Sequence, residues 1–79
     1  MEDPFAQKIK DLSSLREATK ILNALKGNDL YEGNPKKLAR CNPNDLMKIR
    51  GLGTKRVGVI AEALESSGVI GDAQEWLIR

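Results

Sequence analysis

The stretch from Asn42 to Gly68 limits the possible folds most, because it sets a Gly51-Leu52-Gly53 turn between two segments of helical periodicity. Asn42 suits an N-cap and Pro43 the first helical position, so a short helix can start there and bury Leu46 and Ile49 before Gly51 stops it. After the turn, Val57, Ile60, Ala61 and Leu64 recur at helical spacing, and Gly68 stands where a left-handed C-terminal cap is expected. The two helices therefore share one apolar side, with Leu52 expected to plug the gap between them. Glycines at the turn can take positive φ and let a partner approach the backbone, while the free N–H groups that open the second helix point outward at the same corner. Such a corner suits an anion. The helix dipole adds partial positive charge, and Arg50, Lys55 and Arg56 add full charges.

Size and residue usage narrow the chemistry. At 79 residues the chain is expected to be one domain, near the lower limit for folding without disulfides or metal. A single cysteine, Cys41, cannot form an internal bridge, and without histidine it makes neither a Cys/His dyad nor a usual zinc site, so no cofactor is expected and Cys41 reads as a small core residue. No apolar run approaches the ~20 residues of a membrane span, and Met-Glu-Asp-Pro lacks the basic start of a secretory signal. These features favour an intracellular, reducing setting with no membrane partner, and a piece cut from a larger chain would look the same. Asp45, Glu62 and Glu65 are carboxylates, but Glu62 and Glu65 at i and i+3 on an outer helix face more simply offset neighbouring charge than bind metal. With no convincing nucleophile and base, the expectation is a protein that is not an enzyme.

Charge is unevenly placed. The net charge is +2, yet residues 36–56 carry seven basic side chains and one acidic one, whereas residues 57–79 carry one and four. A charge cluster alone is more often a solvated face. A basic patch coinciding with a backbone anion site is the footprint expected for nucleic acid, because phosphate contacts supply most non-specific affinity.

Elsewhere the pattern is helical throughout. Asp3-Pro4 is a plausible helix start, followed by an apolar stripe of Phe5, Ile9 and Leu12; residues 1–13 read as a short helix or an N-terminal arm that adds little core. Ser14-Leu15-Arg16-Glu17 has capping-box form, so a second helix is expected from Ser14 to Gly27, burying Leu15, Ala18, Leu22 and Leu25 with Ile21 at the edge. Asn28 to Gly33 reads as a loop anchored by Leu30 and Tyr31. Asn34-Pro35 and Asn42-Pro43 then open two successive eight-residue units of similar form, which is repeated capping chemistry rather than a repeat architecture. Val69 and Ile70 return to the core, and Asp72-Ala73-Gln74-Glu75 opens a last helix in which Trp76 and Leu77 close the fold. Trp76 is better placed in the core than as a partner hot spot. The predicted fold is all-α, a compact bundle of four to five short helices, with residues 14–79 as its functional domain.

The pattern Leu46-x-x-Ile49-x-Gly51-Leu52-Gly53-x-x-x-Val57-x-x-Ile60 resembles the helix-hairpin-helix motif of DNA-binding and DNA-repair proteins, with Val57 where the family usually has a smaller residue. From about Lys20 to Val69 the chain also resembles the C-terminal domain of the bacterial RNA polymerase alpha subunit, through Lys20-Ile21-Leu22-Asn23-Ala24-Leu25-Lys26, Leu30-Tyr31, Leu38, Leu46-Met47-Lys48 and Gly51-Leu52-Gly53. That family is all-helical and binds A/T-rich DNA through the minor groove with an arginine, the hairpin and the helix after it. The resemblance puts the arginine position on Lys20, a nearby asparagine on Asn23, and hairpin contacts on Gly51, Gly53, Lys55 and Arg56. Lysine replaces the arginine, glycine the usual asparagine at Gly51, arginine a serine at Arg56, and the loop near Glu32 to Asn34 is longer. A lysine cannot reproduce a planar guanidinium in a narrow groove, so the phosphate grip carries over better than any base preference.

The resemblance and the residues together lead to the expectation of a non-catalytic module for double-stranded DNA, serving transcription or DNA repair and working beside a larger protein or complex. Its contacts would come from Lys20, Asn23, Lys26, Arg50, Gly51, Leu52, Gly53, Thr54, Lys55 and Arg56. The alternative is a protein-interaction module of a transcription or repair complex, using the same basic face or the Trp76 and Tyr31 surfaces.

Overall fold

The computed structural model describes residues 4–27 and 35–78. Within them lie six helices and no strand: α1 (Pro4–Leu12), α2 (Leu15–Lys26), α3 (Pro35–Ala39), α4 (Pro43–Met47), α5 (Thr54–Ser66) and α6 (Ala73–Leu77). The all-α reading holds, and the count exceeds four to five because the two Asn-Pro units each form a separate single-turn helix. The loop anchors Leu30 and Tyr31, and the cap Asn34, lie outside the described residues.

Local chemistry sets most of the helix ends. Ser13 Oγ donates to the Ile9 carbonyl at 2.6 Å and closes α1, while the next residue, Ser14, is extended (φ −66°, ψ 159°) and accepts from the Glu17 amide at the start of α2. Asn42 caps α4 through the Asn44 amide with Pro43 in the first turn, and Asp72 caps α6 through the amides of Gln74 and Glu75. At the end of α5, Gly68 has φ +80°; its amide reaches the Glu65 carbonyl, and the Val69 amide reaches that of Leu64 at 2.9 Å. This pair of bonds satisfies carbonyls that the helix itself leaves open.

The core is built around α5. Val57, Ile60, Ala61, Ala63 and Leu64 are fully buried, and the closest helix packing is of α5 against α1 and α6. Leu52 drops into the same cluster, 3% exposed, as its position between the glycines suggested. Trp76 is also buried, and its indole N–H donates to the Ala39 carbonyl at 3.0 Å, tying α6 to the end of α3. Trp76 thus takes the core position expected of it.

Three expectations are corrected. Residues 4–12 add substantial core: Phe5 and Ile9 are fully buried against α5, and the stripe runs Phe5, Ala6, Ile9, with Leu12 left 41% exposed at the corner. On α2 the buried line is Ala18, Ile21 and Leu25, with Leu22 partly covered and Leu15 72% exposed. The helix is thus turned by roughly 50° from the expected face. α2 packs against α1, and Ala18, Ile21 and Leu25 belong to the same buried cluster as Phe5, Ile9 and the core face of α5. Cys41 is half-buried rather than core, with its thiol donating to the Lys37 carbonyl at 3.3 Å; burial pushes its pKa up.

Replacing Phe5 with Ala should lower stability by about 3–5 kcal/mol through lost burial and a residual cavity. A fall in the urea midpoint checks this; an unchanged midpoint would make α1 a detachable arm.

Candidate nucleic-acid interface

The turn into α5 is built by two glycines with different roles. Gly51 has φ +92°, a conformation that side chains rarely adopt, and lets the chain reverse after Ile49, whose carbonyl accepts from the Leu52 amide at 3.0 Å. Gly53 is extended (φ −105°, ψ −178°) and forms the N-cap of α5 without any side-chain cap. Positive φ is therefore needed only at Gly51. A Cβ at Gly53 would meet no protein atom within 4 Å, so glycine there leaves an open approach to the backbone. Among the described residues nothing accepts from the amides of Gly53, Thr54, Lys55 and Arg56, the unpaired donors of the first helical turn. Together with the dipole of a 13-residue helix they form a polarised, solvent-open corner.

Arg50 and Lys55, beside the turn in sequence, are exposed, and so are Lys20, Asn23 and Lys26 on α2. Among the described residues none of these four cations is in an ion pair, in contrast to Lys48, which sits 3.7 Å from Asp45. Thr54 is exposed, its hydroxyl 3.8 Å from the Met47 sulfur. Leu52 is buried, so only its backbone can face a ligand.

Arg56 behaves differently from the other expected contact residues. Its guanidinium is bound on both sides: Nε donates to Glu17 Oε2 at 2.8 Å and Nη2 to Oε1 at 3.4 Å, while Nη1 donates to the Gly51 carbonyl at 2.6 Å. Arg56, expected as a phosphate contact, here bridges α2 and the hairpin. Glu17 was not among the expected site residues. Its capping-box position accounts for its amide, and nothing local signals a partner 39 residues away.

The Arg56 hydrogen bond, with added attraction from Arg56, Lys20 and Lys55, lowers the Glu17 pKa below its ordinary value. Glu17, Gly53, Lys55 and Arg56 line one cleft, and Lys20 follows Glu17 by three residues, about one turn, on α2. Asn23 is one turn beyond Lys20, whereas Lys26 lies about 14 Å further along the helix axis than Glu17, at the far end of α2. Lys26 is therefore the expected contact least connected to the hairpin. Between the two helices runs an open cleft of about 580 Å³, lined in part by Leu12, Ile21, Glu17, Lys55 and Val59.

No protein-family model matches the chain, and neither any curated protein nor any solved structure does.

Because the folded pKa of Glu17 is depressed, its contribution to stability is present above the unfolded value near 4.5 and is lost as pH falls through the folded value. Glu17→Gln should therefore show a smaller fall in melting temperature than the parent between about pH 5 and about pH 3. Identical pH profiles would mean that the clamp does not form in solution.

Proposed function

We propose that this chain is a non-catalytic module that grips double-stranded DNA through its phosphates, largely independent of sequence. The observation that carries the reading is the coincidence of an uncapped helix N-terminus, with its amides open to solvent, and exposed, unpaired cations near it: Lys55 lines the cleft that Glu17 and Gly53 share, and Lys20 stands one turn along α2 from Glu17. Either feature alone is common; together they match the geometry of a phosphate cradle with flanking charges. Gly53, Thr54 and Lys55 would hold phosphates of one strand through backbone amides and the Lys55 ammonium. Lys20 and Asn23 would reach the groove or the opposite strand, and Arg50 would add charge at the rim. Arg56 shapes the hairpin in this reading, and Lys26 is peripheral. Contacts of this kind position a protein and carry little sequence information, which suits a module tethered to a larger transcription or repair assembly.

The affinity of the isolated chain for a random-sequence duplex is expected near the non-specific range of about 10⁻⁴ to 10⁻⁶ M, with a log–log salt slope of about −3 from Lys20, Arg50 and Lys55. Lys55→Glu should weaken binding about tenfold. Gly53→Ala separates interface from fold: the added Cβ meets no protein atom, so stability should fall by no more than about 1 kcal/mol, the cost of alanine at an N-cap, while DNA affinity falls. Fluorescence anisotropy and thermal melting read both effects. Binding that ignores salt and both substitutions would overturn the reading, and displacement by an acidic protein but not by duplex DNA would favour a protein partner.

A further inference from the structure

The acid in the middle of a cationic face needs a reason. Glu17 lines one cleft with Lys55 and stands a turn before Lys20 on α2, and like any glutamate it is ionised at neutral pH, a form that the hydrogen bond from Arg56 favours further. On Coulomb grounds alone a carboxylate there weakens the attraction of any polyanion. What it provides is geometric. One guanidinium holds both Glu17 carboxylate oxygens on α2 and the Gly51 carbonyl at the hairpin tip, and among the described residues no other side-chain hydrogen bond joins α2 to the hairpin. The tip otherwise has little to fix it. Gly51 is exposed, with nothing within 4 Å of the position a Cβ would take, and only the neighbouring Leu52 side chain anchors it in the core.

We infer that Glu17 is a positioning residue which, by holding Arg56 across the Gly51 carbonyl, fixes the hairpin relative to α2 and thereby makes the site selective for double-stranded over single-stranded DNA. The inference rests on the DNA-binding reading above. The two strands of a duplex present phosphates at fixed separations across a groove, so contacts from two helices are made together only if their spacing is fixed as well. A single strand bends to meet cations at many spacings, and its binding depends on total charge more than on register. The clamp therefore serves the duplex and gives the single strand nothing, while its carboxylate repels both.

The opposing signs make the idea testable. Affinities of the parent chain, Glu17→Gln and Arg56→Lys are measured for a short duplex and for one of its strands at a single salt concentration. Glu17→Gln removes a negative charge, so a purely electrostatic role would tighten binding to both DNAs. The clamp requires the duplex to bind about threefold more weakly while the single strand binds equally or more tightly. Arg56→Lys keeps the charge without the planar fork and should lose duplex preference in the same way. Circular dichroism melts check that both variants remain folded, as expected for a pair whose side chains are 28% and 40% exposed. An unchanged duplex-to-single-strand ratio in both variants, with the parent binding duplex, overturns the positioning role and leaves the DNA reading intact. A parent chain that binds neither DNA overturns both.

Discussion

A chain of 79 residues has enough apolar surface to enclose one helix, and α5 takes that place, with Val57, Ile60, Ala61, Ala63 and Leu64 all removed from water. Each of those side chains contributes about 1.5–3 kcal/mol when fully buried, the two alanines less, so the fold has few alternatives to covering this helix. α1 lays Phe5 and Ile9 on it, α6 brings Trp76, and α4 leads through Leu52 into its first turn. The Schellman-type closure at Gly68 turns the chain so that Val69 and Ile70 pack back on the cluster.

The position of the candidate interface follows from that burial. With its apolar side buried, α5 leaves to solvent its outer face and its ends, and the C-terminal end is satisfied by its own cap. The N-terminal end is reached through a turn with no capping side chain, leaving its amides and dipole facing solvent. The distribution of charge reinforces this asymmetry: Glu62 and Glu65 lie on the exposed face towards the far end of α5, whereas Lys55 and Arg50 flank the open end. Glu17 is the exception, and its bond to Arg56 turns an apparent misplacement into a tie between two helices. One arginine is thereby bonded to a carboxylate of α2 and to the carbonyl of Gly51.

What the sequence reveals divides by distance along the chain. The caps at Ser14, Asn42 and Asp72, the left-handed Gly68, the plug at Leu52 and the buried face of α5 are encoded within a few residues, and the structure has each of them. The rotation of α2 is not local. Leu15 and Ile21 are both apolar, and it is tertiary packing that takes Ile21 in and leaves Leu15 out. The depth of Phe5 was missed for the same reason, since a nine-residue segment shows its face but not what covers it. In the candidate site, the glycines and cations were legible from spacing and composition. The role of Arg56 was not, because its partner is 39 residues away and neither residue carries a signal for the other.

The most direct measurement is a backbone amide map by NMR during titration with a random-sequence DNA duplex. If α2 and the hairpin form one interface, the amides of Gly51 to Arg56 and those of Lys20 and Asn23 shift together and saturate along one binding curve, with Lys26 and α6 moving little. Shifts confined to another face, or amides at the hairpin that stay still at millimolar DNA, would contradict the account and leave Gly51-Leu52-Gly53 as a structural turn.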